Sequence, residues 1–228
     1  MSTEPSDVVA DAATELQSAP PQEILRWALD RFHPRLVIAS SMANAVLIHM
    51  ASEIRSGVPV VFLDTGYHFA ETIGTRDAVA HRYNADILSI SPRQTVAEQD
   101  AEFGPALYER DPDLCCRMRK VEPLEVALAS YDAWTSGIRR DETSTRSDID
   151  VVEWDTKRDK VKVNPLAAWT KGDVDTYIQE NDVIVNPLLA EGYPSIGCAP
   201  CTHRVEDSDD ARAGRWAGFG KTECGLHQ

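Results

Sequence analysis

The residues in this chain best suited to chemistry are its five cysteines, Cys115, Cys116, Cys198, Cys201 and Cys224. The start, MSTEPSDVV, lacks the basic residues and apolar stretch of a secretory signal, so a cytoplasmic setting is expected. There, cysteines serve metals and catalysis rather than a disulfide framework. Cys198-Ala199-Pro200-Cys201 is a C-x-x-C, which can be a zinc half-site, a redox pair or half of a cluster site. The adjacent pair Cys115–Cys116 is rarer. Neighbouring residues on a helix point about 100° apart, so their sulfurs diverge. Tetrahedral zinc needs sulfurs gathered about 2.3 Å from one ion, whereas a cubane cluster offers separate iron corners. The pair therefore favours a cluster over zinc. Burial as small hydrophobes is the bland alternative for Cys115 and Cys116, and the distant C-x-x-C weighs against it.

Basic residues near these thiols form the second signal. Arg117, Arg119 and Lys120 crowd behind Cys116, and Arg139 and Arg140 are adjacent. Lys120 is four residues beyond Cys116, so on a helix the two share a face. Solvated surface charge is the competing reading for either cluster.

The elements that must position these groups are legible from periodicity. After an Ala-, Ser- and acid-rich N-terminal arm at 1–20, readable as a loose helix or as irregular chain, Pro20–Pro21 lead a helix whose face carries Ile24, Leu25, Ala28, Leu29 and Phe32. RLVIAS, VPVVFLD, ADILSI and DAWTSGI read as buried strands, and KVKVNPL as a fifth. Helices are expected over 43–54, 68–83 and 171–181, over 121–129 with an interruption at Pro123, and over 207–215. Continuous apolar strands alternating with helices give an α/β fold, a parallel twisted sheet flanked by helices. One domain over 21–205 and a mobile C-terminal tail over 206–228, with Gly214, Gly218, Gly220 and Gly225 spread through it, is the economical division.

Open parallel sheets bind ligands beyond the carboxyl ends of their strands. Three strand ends here carry polar turns. In the first, Ser40 and Ser41 are placed to hold an anionic oxygen or simply to cap the next helix. In the second, Leu63-Asp64-Thr65-Gly66-Tyr67, Gly66 permits close backbone approach, and Asp64 can accept from a ribose hydroxyl or shape the turn. In the third, Ser136-Gly137-Ile138-Arg139-Arg140, the arginines suit bidentate binding of phosphate or sulfate. Three such turns on one rim point to a nucleotide or another anion.

Bulk properties narrow the field. The 228 residues, 43% hydrophobic and 26% charged, suffice for one sizeable core. A net charge of −14 and a pI near 4.8 argue against nucleic acid as a partner. No apolar run is long enough to span a membrane, and no flavin fingerprint, haem motif or internal repeat is present.

Taken together, these residues resemble the assimilatory adenylyl-sulfate reductases of the sulfonucleotide reductase family. The resemblance is carried by Cys115-Cys116-Arg117-Met118-Arg119-Lys120-Val121-Glu122-Pro123-Leu124, Leu63-Asp64-Thr65-Gly66, Trp134-Thr135-Ser136-Gly137-Ile138-Arg139-Arg140-Asp141, Gly197-Cys198-Ala199-Pro200-Cys201-Thr202 and Glu223-Cys224-Gly225-Leu226-His227. It covers nearly the whole chain after about residue 20. One departure is the first turn, Ser40-Ser41-Met42-Ala43-Asn44, which lacks the glycine of related pyrophosphate-binding loops and the acidic residue common in the family near Asn44. Such a loop suits a substrate with a single phosphate.

The resemblance implies an adenine nucleotide alpha-hydrolase-like fold and one [4Fe–4S] cluster on Cys115, Cys116, Cys198 and Cys201. It implies reduction of adenosine 5′-phosphosulfate to sulfite and AMP, in sulfate assimilation and cysteine biosynthesis. Cys224 is then the nucleophile that forms S-sulfocysteine, with thioredoxin or glutaredoxin releasing sulfite. Lys120 would sit between cluster and substrate, and His227 would lower the thiol pKa or contact the anion. Arg119, Arg139, Arg140, Arg212 and Arg215 would hold the phosphosulfate, and Leu63 and Gly137 would offer backbone groups to adenine. The rivals are a reductase of 3′-phosphoadenosine 5′-phosphosulfate, an ATP-dependent sulfur- or adenylyl-transfer enzyme, and a non-catalytic cluster-based sensor. A homo-oligomer is left open.

Overall fold

The computed structural model describes residues 5–205, 210, 212–216, 218, 221 and 223–227. Chain order runs α1 (Pro5–Leu16), α2 (Pro21–Phe32), β1 (Leu36–Ala39), α3 (Val46–Ile54), β2 (Val60–Leu63), α4 (Ala70–Arg82) and β3 (Ile87–Ile90). It continues through α5 (Val96–Phe103), α6 (Leu107–Arg110), α7 (Pro112–Cys116), a π-helical turn (Arg117–Val121) and α8 (Glu122–Leu128). Then come β4 (Ala133–Ser136), β5 (Val152–Asp155), β6 (Lys160–Val163) and α9 (Lys171–Asn181).

The strands form one sheet in the order β3-β2-β1-β4-β6-β5. All neighbours are parallel except β5, which pairs antiparallel with β6 at the edge. This hairpin is the main departure from the all-parallel sheet expected. The strand VEWD carries two charged residues in four, Glu153 and Asp155, so its sequence does not register as a buried strand.

Successive strand residues point to opposite faces, which explains why both faces must be apolar. Leu36, Ile38, Val60 and Phe62 pack with α2, α3 and Val79 of α4 on one face. Val37, Val61 and Trp134 pack with Leu124 and Leu128 of α8 on the other. The β1-to-β3 crossovers therefore cover one face and the β3-to-β4 crossover the opposite one. The sheet reverses winding between β1 and β4, which are paired from Leu36↔Ala133 to Ala39↔Ser136. A crevice opens beyond their carboxyl ends at such a reversal.

Two local features refine the sequence expectation. Of the two forms expected for the N-terminal arm, residues 5–16 take the helical one, α1, and it is docked, with Val9 and Ala12 in the main core. Pro123 does not interrupt its helix: α7, the π turn and α8 run on through helical backbone. In a regular α-helix the Pro123 ring would meet the Arg119 carbonyl and offer it no donor. The widened turn, in which Glu122 N–H donates to the Arg117 carbonyl, relieves that conflict and buries Arg119, Lys120 and Val121. Such turns recur at functional sites.

Candidate active site: the cysteine cavity and its strap

Cys115 and Cys116 end α7, whose start is fixed by Pro112 in its first turn and by the Asp111 carboxylate accepting from Leu114 N–H. Cys198 and Cys201 bracket a short 3-10 turn in which Cys201 N–H donates to the Cys198 carbonyl at 3.0 Å. These four cysteines, far apart in sequence, line one small cavity together with Tyr67, Tyr108 and Lys120. Among the described residues no three Cys, His, Asp or Glu side chains close around a single ion. The thiols border a space instead.

All four are buried. Burial, reinforced by neighbouring sulfurs, pushes the Cys115 thiol up to about 12 and the Cys201 thiol up to about 11, and it raises Cys116 as well. Lys120 is the cation among these sulfurs, placed to meet negative charge when it develops on them. Burial alone would depress its ammonium, but thiolate charge at Cys198, Cys224 and Cys116 outweighs that and raises it. Lys120 is therefore the cation placed to neutralise sulfur-centred negative charge here.

The turn after β2 joins the nucleotide rim to this cavity. Asp64 Oδ1 accepts from Gly66 N–H at 3.2 Å, which shapes the turn, and Gly66 sits at φ +73°. The Thr65 hydroxyl is 3.3 Å from Cys198 Sγ, and Ala199 N–H donates to the Tyr67 carbonyl at 2.7 Å. Arg119 braces the turn from beneath. Its Nη1 donates to the Thr65 carbonyl at 2.8 Å, its Nε to Gln99 Oε1 at 2.7 Å, and its guanidinium lies 4.9 Å from the Tyr67 ring centroid. Arg119 thus holds the turn, where the sequence suggested a substrate anion contact. Leu63 ends β2 at the crevice, with its carbonyl 2.8 Å from His68 Nε2.

The other rim turns hold their polar groups locally. Ser40 Oγ accepts from Met42 N–H at 3.2 Å, and Ser41 is exposed. Asn44, rather than either serine, accepts from Val46 N–H at 3.2 Å at the start of α3. Gly137 follows β4 between Leu47 and Leu166. Arg139 Nε donates to Asp141 at 2.8 Å, and Arg140 Nε donates to the Ile149 carbonyl at 2.9 Å. Both arginines lie beside the crevice with part of their donor capacity directed into their own loop.

The C-terminal segment straps the cavity. Residues 207–209 and 211 of the expected helix lie outside the described residues; 212–214 form a turn, and Arg215 bridges antiparallel to Thr202. Trp216 N–H donates to the Cys201 carbonyl at 3.1 Å, tying the segment to the C-x-x-C turn. Its ring is 2% exposed, with Lys120, Arg212, Arg215 and Lys221 at 6.0, 5.6, 4.5 and 5.5 Å from its centroid. Gly197 packs so closely on the Arg215 guanidinium that a Cβ there would displace it. Cys224 joins the cluster of Cys116, Cys198, Cys201 and Trp216 and remains only partly buried.

His227 stacks on Trp134 at 5.7 Å between ring centroids and 13° between planes. Burial, with Lys162, Arg146, Arg158 and Arg212 adding repulsion, holds its imidazole well below the usual range and hence neutral. The sequence reading, a charged partner for the thiol or the anion, does not describe this docked ring. Thr65, Tyr67, Gln99, Arg146 and Trp216 were not singled out from sequence. Only the Trp216 ring, among clustered arginines, offered a signal.

Similarity to known proteins identifies the family. A family model described as the phosphoadenosine phosphosulfate reductase domain matches residues 34–204. Adenosine 5′-phosphosulfate reductase of Streptomyces coelicolor is 60% identical over 216 residues, covering 95% of this chain and 92% of the relative. The enzyme of that name from Mycobacterium tuberculosis is 49% identical, with 99% and 96% covered. A crystal structure of phosphoadenylyl-sulfate reductase from Candida auris, a phosphate complex, superposes with a TM-score of 0.76 at 30% identity over 90% of this chain and 99% of that one. FMN adenylyltransferase of Candida glabrata, at a TM-score of 0.59 and 12% identity over 87% of this chain and 75% of that one, shares the fold. With three-quarters of its length matched by the family model and its reductase relatives matched almost end to end, the chain belongs to the sulfonucleotide reductase family.

Proposed function

We propose that this chain is an oxidoreductase that reduces adenosine 5′-phosphosulfate to sulfite and AMP, using a protein dithiol of the thioredoxin or glutaredoxin class. The observation that carries the reading is the seating of Cys224 against the four-cysteine cavity, beside Lys120 and the cation-ringed Trp216. The Cys224 thiolate attacks the sulfate sulfur. An S–S bond forms, the bond from sulfur to the bridging oxygen breaks, and AMP leaves with the electron pair. A thiol of the external dithiol then attacks Cys224 Sγ and expels sulfite. Its second thiol resolves the mixed disulfide, returning Cys224 as a thiol and leaving the dithiol oxidised.

Cys115, Cys116, Cys198 and Cys201 fit an iron–sulfur cluster: four buried thiols around one cavity, with Lys120 to offset their charge. When bound there, a [4Fe–4S] cluster would add a fixed negative charge and a rigid anchor. Lys120 then faces sulfur-centred charge on one side and Cys224 on the other, where it would bind the sulfate oxygens. Arg212 and Arg215, held on Trp216, would clamp the phosphosulfate, with Arg139 and Arg140 on the phosphate side. Ser40, Ser41, Asp64 and Gly66 line the proposed nucleotide rim, and Leu63 and Gly137 its adenine side. A cytoplasmic location suits free thiols and a dithiol reductant.

The test is a single turnover of anaerobically purified protein with sulfur-labelled adenosine 5′-phosphosulfate, without reductant, followed by peptide mass mapping. Label on the Cys224 peptide with stoichiometric AMP supports the reading. Absence of both sinks it. Because the Candida auris relative is named for the 3′-phosphorylated nucleotide, that compound is run in parallel. Faster labelling by it would reassign the substrate.

A further inference from the structure

Glu223 immediately precedes Cys224, yet it is only 8% exposed, and a buried carboxylate needs charged or hydrogen-bonding partners. Its main partner lies 77 residues back in sequence. Arg146 Nε donates to Oε1 and Arg146 Nη2 to Oε2, both at 2.8 Å. The Thr145 hydroxyl donates to Oε1 at 3.3 Å, and Arg212 Nη2 to Oε2 at 3.4 Å. Arg146 is itself 7% exposed, and its Nη1 bonds Glu142. Burial alone would raise the Glu223 carboxyl, but the bonds and charge of Arg146, with the charge of Arg212, hold it below its ordinary range.

A two-point fork fixes orientation as well as distance, which a single contact does not. Arg146 ends a 3-10 turn in the loop after β4, so the fork ties the residue beside the thiol to the scaffold of the crevice. Three residues further on, His227 docks on Trp134 of β4. Cys224 is suspended between these two attachments and rests against the cysteine cavity. Buried ion pairs often add little net stability compared with apolar residues of similar size, while losing one partner is costly. Placement is thus the property the fork best explains.

We propose that Glu223 is a positioning residue: its two-point bond to Arg146 sets Cys224 against the cysteine cavity when the strap is closed. This deepens the reading of Cys224 as nucleophile. The pair leaves the chemistry to Cys224 and determines how often the thiol is in place.

The experiment uses full-length, anaerobically purified protein and the rate of iodoacetamide alkylation, mapped cysteine by cysteine. Glu223→Gln keeps the shape and removes the charge. It is expected to speed Cys224 alkylation by roughly 10- to 100-fold, the size of a lost charge-assisted hydrogen bond. Arg146→Lys, which keeps the charge without the fork, is expected to fall between wild type and Glu223→Gln. The Arg146→Met/Glu223→Gln double variant should react no faster than the faster of Arg146→Met and Glu223→Gln made singly, because both break one interaction. In single turnover, AMP release should slow while the substrate concentration at half-maximal rate stays nearly unchanged.

The other four cysteines are the internal control. If they too become reactive in Glu223→Gln, that variant has lost its fold, and Arg146→Lys decides. Wild-type Cys224 reactivity in a folded Glu223→Gln or Arg146→Lys protein overturns the proposal, as does full additivity in the double variant. If wild-type protein releases no AMP, the reductase reading fails, while the alkylation rates still judge the clasp.

Discussion

The imidazole of His227 lies nearly parallel to the indole of Trp134, 5.7 Å away, placing the end of the strap on the fourth strand of the sheet. Trp134 is fully buried, with Nε1 donating to Asp155 at 3.1 Å and with Arg158 and Lys162 over its ring at 5.6 and 5.4 Å. The ring pair therefore sits among cations, and only a neutral imidazole is comfortable there.

A pH dependence with a definite sign follows. Docked, His227 is held well below its ordinary value by burial first and then by Lys162, Arg146, Arg158 and Arg212. Released, it titrates near 6.5. The docked state binds fewer protons, so docking is fullest above about pH 6.5 and weakens as pH falls below it. In NMR titrations the His227 ring resonance should show no protonation step near 6.5. A midpoint at or above that value would contradict the docked geometry.

Lys120 supplies a second expectation. It is the buried cation beside Cys116, Cys198 and Cys224, so Lys120→Met leaves sulfur and sulfate charge uncompensated. The single-turnover rate of AMP release should fall by about 100-fold or more, the scale seen when one preorganised charge donor is removed. Retention of the wild-type rate would place the anion elsewhere.

The turn after β2 allows a paired stability test. Gly66 is at φ +73°, and a Cβ there would lie 3.2 Å from Val96 Cγ2. Gly66→Ala should lower stability by about 1–2 kcal/mol in denaturant unfolding. Gly74, inside α4 with nothing near its would-be Cβ, gives the opposite sign: Gly74→Ala should stabilise by about 0.5–1 kcal/mol. Equal effects at the two sites would contradict the backbone assigned to the turn.

How much of this was readable beforehand divides by physical cause. Apolar runs such as Leu36–Ala39 and Val60–Leu63 announce buried parallel strands because their contacts are the same wherever the neighbours come from. That Cys115, Cys116, Cys198 and Cys201 belong to one set is equally visible, since residue type and spacing carry it, and the fold brings them to one cavity. The partners of the arginines are not. Nothing local tells that Arg119 braces Thr65 and Gln99 while Arg146 reaches Glu223. The π turn escaped because Pro123 normally signals a break, and the helix instead widened by one residue.

The cavity gives the last expectation, and it separates two kinds of cysteine. Cys115, Cys116, Cys198 and Cys201 share one lining, whereas Cys224 packs at its edge from the strap and stays partly exposed. If the first four ligate a cluster, replacing any one by Ser should abolish most bound iron, acid-labile sulfide and visible absorbance in anaerobically purified protein. Cys224→Ser should retain all three and lose only sulfur transfer. Burial raises the thiols of Cys115, Cys116 and Cys201, which strengthens the contrast, because bare thiolates are disfavoured there without a cationic partner. A Cys198→Ser protein with full iron, or a Cys224→Ser protein without it, would reverse the roles assigned here.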